Sequence, residues 1–164
     1  MLDKQLLLEI EAYINNHLSL LKLDDAIELY APNESIYIDL KETELENFIK
    51  TKRKPTFTQV LFQFIDQNEI SDSQVYKKAG MDRRHFSKIR SNSNYHPKKN
   101  TAIALALALE LTQAETDELL SAAGYSLSDS ETTDLIIQFC LEKKMYDIDI
   151  VNQALEYFSE KPLI

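Results

Sequence analysis

Glycine is almost missing from this chain of 164 residues, with two, and proline is scarce, with four. Hairpins and tight sheet turns usually need more glycine, so an all-α fold is expected. Cysteine occurs once, at Cys140. An internal disulfide is therefore excluded. The thiol sits within the apolar run Leu135-Ile136-Ile137-Gln138-Phe139-Cys140-Leu141 and reads as a small buried hydrophobe. One thiol without a disulfide framework suits a reducing compartment, so a cytoplasmic protein is expected. Long apolar runs are missing too. The longest, residues 101–109, is too short to span a bilayer. The leucines of residues 1–16 are broken up by acids and amides, unlike a signal peptide. No membrane partner is expected.

The chemistry of an enzyme is equally thin. There is no Gly-rich phosphate loop. His17, His85 and His96 are scattered, and the last two lie near cations, a poor setting for a metal ion. Ser87 has no base and orienting group in sequence. Acids at 24–25, at 42, 44 and 46, and at 147 and 149 read as solvated faces or caps. No catalytic residue, metal or cofactor is expected, and the chain does not read as an enzyme.

What is present is an island of positive charge. Residues 50–99 hold 12 of the 18 Lys and Arg but 4 of the 27 Asp and Glu. The island is about +8 and the remainder about −17, within a net charge of −9. An acidic chain that concentrates its bases needs a local reason, and a polyanion is the most common one.

Apolar periodicity and caps divide the chain. Residues 2–21 form an amphipathic helical pattern. Residues 36–40 alternate like a short strand, and Thr43 with Glu46 marks a capping box for a helix ending near Lys50. Residues 1–50 are thus expected as an N-terminal unit for dimerisation or partner binding. Residues 51–55, with Lys52, Arg53 and Lys54 before Pro55, read as a basic linker. Capping pairs follow at Thr56/Gln59, Ser71/Gln74, Thr112/Glu115 and Ser128/Glu131, with a further cap at Asp147. Pro97 suits the first turn of the helix that contains the apolar stretch. The glycines, Gly80 and Gly124, mark helix ends.

Between Ser71 and Ser91 the pattern is two short helices around Gly80. Ile70, Val75, Ala79, Met81, Phe86 and Ile89 supply apolar positions that lock the pair. Arg83, Arg84, Ser87, Lys88 and Arg90 are left for solvent. Residues 70–92 resemble, without a gap, the helix-turn-helix of the lambda-repressor-like (Cro and phage-repressor type) family. Residues 57–68, 97–111 and 112–124 resemble its first, fourth and fifth helices. The resemblance covers about 56–125, and residues 126–164 form a C-terminal extension of two further helices. The chain is also similar to the helical C-terminal region found on some bacterial macrodomain proteins.

The resemblance implies a five-helix bundle and a sequence-specific transcriptional regulator of bacterial or phage type that binds double-stranded DNA. It implies base reading by Arg83, Arg84, Ser87 and Lys88. Lys77, Lys78, Arg90, Lys98, Lys99 and the arm Lys52, Arg53 and Lys54 would contact phosphate. Repressors of this kind commonly act as homodimers, and Leu7, Ile10, Ile14 and Leu21 offer a seam on the first helix. Two residues depart from the family. Tyr76 replaces a usual small residue, and Asp72 stands where glutamine is common. An acid there repels phosphate at close range. These departures favour a rival expectation, an adaptor of the same fold that binds a protein partner in a stress or phage-defence system.

Overall fold

A computed structural model describes residues 8–13 and 34–164. Among them every regular element is helical, so the protein is all-α. The chain divides into two compact units, Met1–Arg53 and Lys54–Ile164.

In the first unit, residues 8–13 are helical and α1 spans Glu34–Lys52. The strand pattern at 36–40 is overturned, because those residues are the first turns of α1. A lone strand leaves its backbone groups unpaired, whereas a helix pairs them internally. Thr43 lies inside α1, not at its start, so it is not the N-cap. The helix also runs into the expected linker, with Arg53 N–H donating to the Ile49 carbonyl at 2.9 Å. Pro55 restrains only its neighbour Lys54, so helix to Lys52 is permitted.

The second unit carries seven helices: α2 Phe57–Gln67, α3 Asp72–Lys78, α4 Arg83–Ser91, α5 Lys99–Ala108, α6 Gln113–Ala122, α7 Thr132–Glu142 and α8 Ile148–Tyr157. The capping boxes at Thr56/Gln59, Ser71/Gln74 and Thr112/Glu115 are all formed, with both reciprocal hydrogen bonds. Asp147 caps α8 by accepting from the N–H groups of Asp149 and Ile150. Two expectations fail. Glu131, not Ser128, is the N-cap of α7. The Ser128 N–H instead donates to Asp134 at 2.8 Å, and its hydroxyl pairs with Ser130. Pro97 precedes the N-cap Lys98 rather than opening α5. There its carbonyl accepts from the Tyr125 hydroxyl at 2.9 Å.

Helix α5 is the axis of this unit. Ala102 to Leu109 are all buried, because α3, α6 and α8 each pack against this helix. Alternating alanine and leucine lets neighbouring helices approach closely while leucines fill the gaps. Helices α7 and α8 share the same core through Ile137, Cys140, Leu141, Val151 and Leu155. Burial pushes the Cys140 thiol up from its ordinary value of 9.0, so it stays a protonated, unreactive core group.

Candidate nucleic-acid interface

The frame of the site is built by short-range signals. Ser71 starts α3, and Gly80 ends it with φ +65°. Gly80 N–H donates to the Lys77 carbonyl and Met81 N–H to the Tyr76 carbonyl, at 3.1 and 2.8 Å. This paired C-cap needs a left-handed residue between the helices, where a Cβ is penalised. Asp82 then opens α4, its carboxylate accepting from the Arg84 N–H at 2.7 Å. Phe86 and Ile89 are buried on the inner side of α4. Helical spacing therefore leaves Arg83, Arg84, Ser87 and Lys88 exposed, as observed.

A cleft of about 420 Å³ separates α3 from α4. It is lined by Asp72, Ser73, Tyr76, Arg83, Ser87 and Arg90 among others. Tyr76 is part of the apolar wall of this cleft. Its ring packs beside Phe86 with centroids 6.0 Å apart, and Phe62 meets Phe86 edge-on at 6.3 Å. Asp72 is not an isolated negative charge. It pairs with Arg90 at 2.5 Å, and the Arg90 guanidinium lies 4.0 Å over the Phe62 ring. One arginine thus ties the start of α3 to the end of α4 and to α2.

The other cations separate into engaged and free groups. Lys78 pairs with Glu110 at 3.1 Å. Lys77 lines a second cleft with Tyr146, Asp147 and Asp149. Lys99 holds Asp134 at 2.6 Å, and that carboxylate is buried. Lys98 is exposed at the N-terminus of α5 with no capping hydrogen bond from its side chain. Unpaired N–H groups at a helix start favour an anion. Lys54 lines a cleft with Pro55, Asp117, Glu118 and Tyr125, whereas Lys52 and Arg53 end the first unit. Of the expected dimer residues, Ile10 is exposed; Leu7, Ile14 and Leu21 lie outside the described residues.

Sequence reasoning missed a supporting contact behind α4. The Tyr95 hydroxyl and His85 Nε2 are 2.6 Å apart, which fastens the loop after α4 to its inner flank. Burial raises the Tyr95 hydroxyl above its ordinary 10.0, so it remains a neutral hydrogen-bonding partner. Ten residues separate the two side chains across an irregular loop, and no periodic pattern announces such a pair.

Among the described residues no His, Cys, Asp or Glu cluster is arranged to hold a metal ion, and no helix is long and apolar enough to cross a membrane. Fold and site together define an all-helical protein that presents a cationic, exposed face on the second of two short, tightly joined helices. Comparison with family models, with curated proteins and with solved structures finds no match to this chain.

Proposed function

We propose that this protein is a sequence-specific DNA-binding regulator of the lambda-repressor-like type, with α2 to α6 as its five-helix bundle. It would act by occupying a promoter, without chemistry of its own. The observation that carries this reading is the outer face of α4, where Arg83, Arg84, Ser87 and Lys88 are exposed just after a tight glycine turn. A short helix of this kind enters the major groove, and arginines near its start reach guanine edges. Lys98 at the start of α5 suits a phosphate. The Asp72–Arg90 pair lessens the objection to this face, since the partly exposed acid is already paired with a base of the same unit.

Gel shift of the full chain against a random-sequence duplex library, at low and moderate salt, tests the proposal. Retained duplexes should share a recoverable motif. Replacing Arg83 and Arg84 with alanine should abolish discrimination between sequences, each lost base contact costing about 1–3 kcal/mol. Retention of no duplex even at low salt overturns it.

A second reading rests on the α3–α4 cleft, where Tyr76 and Arg83 line a space of about 420 Å³. An aromatic wall beside a cation suits an acidic protein partner, which would make the bundle an adaptor. Affinity capture that recovers one protein and no DNA, lost on Arg83→Ala, favours this second reading.

A further inference from the structure

Helix α1 presents three large apolar side chains to solvent. Leu45, Phe48 and Ile49 are 52%, 60% and 42% exposed. Their spacing of three and four residues puts them on one face. Solvated helices do not usually carry such a stripe, and a contiguous exposed apolar face marks an interaction surface.

The charges around the stripe say what covers it. Acids Glu42, Glu44 and Glu46 occupy the middle of α1, and bases Lys50, Lys52 and Arg53 gather at its end. A symmetric pair requires a surface complementary to itself, in which residue i meets j and j meets i. Antiparallel packing about an axis near Phe48 meets that requirement. It sets the acids of one helix beside the bases of the other and the apolar stripes face to face. Parallel packing would set acid on acid and base on base, which is unfavourable for flanking positions. In the same unit Glu11 pairs with Lys41 at 2.8 Å. That contact ties residues 8–13, with exposed Leu8, Ile10 and Tyr13, to α1 on the acidic side of the stripe.

We propose that α1 pairs antiparallel with α1 of a second copy of this chain, through Leu45, Phe48 and Ile49. The pairing stands on the stripe and its charges and does not depend on DNA binding.

Light scattering coupled to size exclusion, on the full chain without DNA, tests it. The mass should be twice the 19.0 kDa of one chain. Phe48→Glu should return it to a single chain with the circular dichroism spectrum unchanged, because the residue is exposed. Orientation is read by a short bis-maleimide linker. A mixture of Glu42→Cys and Arg53→Cys chains should cross-link to each other, and Glu42→Cys alone should not cross-link to itself. The native Cys140 is buried and leaves the readout clean. A wild-type chain that stays monomeric as concentration rises overturns the proposal. So does a dimer that survives Phe48→Glu, or self-linking by Glu42→Cys. A dimer without DNA binding would leave this inference standing while the regulator reading fails.

Discussion

Lys98 and Lys99 are neighbours of the same type, yet the structure gives them different work. Lys98 is exposed at the N-terminus of α5, whereas Lys99 reaches the buried carboxylate of Asp134 at 2.6 Å. That carboxylate accepts one further hydrogen bond, from the Ser128 N–H. Removing Lys99 leaves a buried anion short of a partner, while removing Lys98 leaves nothing unsatisfied. Lys99→Met should therefore cost about 1–3 kcal/mol of stability, and Lys98→Met should stay within about 0.5 kcal/mol of the natural protein. Urea unfolding measures both. In duplex binding the order should reverse, with Lys98→Met the weaker binder. No sequence pattern separates these two lysines, because the partner lies 35 residues away in the chain on α7. The apolar residues of the α3–α4 pair were legible for the opposite reason. Val75, Ala79, Phe86 and Ile89 follow local helical spacing, and all are buried.

Helix starts and helix ends differ in how openly the sequence declares them. Thr56, Ser71 and Thr112 announce their helices because a capping box needs particular side chains at fixed spacing. The ends use one backbone device repeatedly, a left-handed residue whose N–H and that of its successor bond back into the last turn. Gly80 and Gly124 fill that position after α3 and α6, but Glu69, Glu110, Lys144 and Ser159 fill it elsewhere, with φ between 51° and 61°. Those four ends were hidden, since nothing in an ordinary glutamate or lysine signals positive φ. They also hold strain. Lys144 is exposed, and its N–H donates to the Leu141 carbonyl at 3.1 Å while Met145 N–H reaches the Cys140 carbonyl at 2.8 Å. Glycine keeps both bonds and removes the Cβ penalty, though the unfolded chain gains freedom. Lys144→Gly should raise stability by roughly 0.5–1 kcal/mol, seen as a higher midpoint in urea. An unchanged or lower midpoint would show that the lysine side chain contributes something the backbone does not reveal.

At the scale of the whole molecule, the island of +8 is smaller than its count suggests. Lys78, Arg90 and Lys99 already face carboxylates of the same unit, and Lys77 borders Asp147 and Asp149. Within the bundle, Arg83, Arg84, Lys88 and Lys98 are left exposed and form no ion pair among the described residues. Each phosphate neutralised releases counterions and adds about −0.9 to the slope of log affinity against log salt. If all four of these bundle cations neutralise phosphate, the bundle alone gives a slope of about −3.6, a loss of roughly a hundredfold in affinity for a fourfold rise in salt. The acidic remainder of this chain, which brings the net charge to −9, works against binding over a Debye length of about 30 Å at 0.01 M salt but only about 8 Å at physiological salt. The salt dependence should accordingly flatten at the dilute end, where long-range repulsion offsets part of the counterion gain. Fluorescence anisotropy with a labelled duplex across that range reads both effects. A slope near −6 per chain would mean that further cations reach phosphate, either the arm Lys52, Arg53 and Lys54 or the engaged Lys78, Arg90 and Lys99. In the second case the bundle would have to rearrange on DNA, and Lys99→Met should weaken binding as much as Lys98→Met, which separates it from the first.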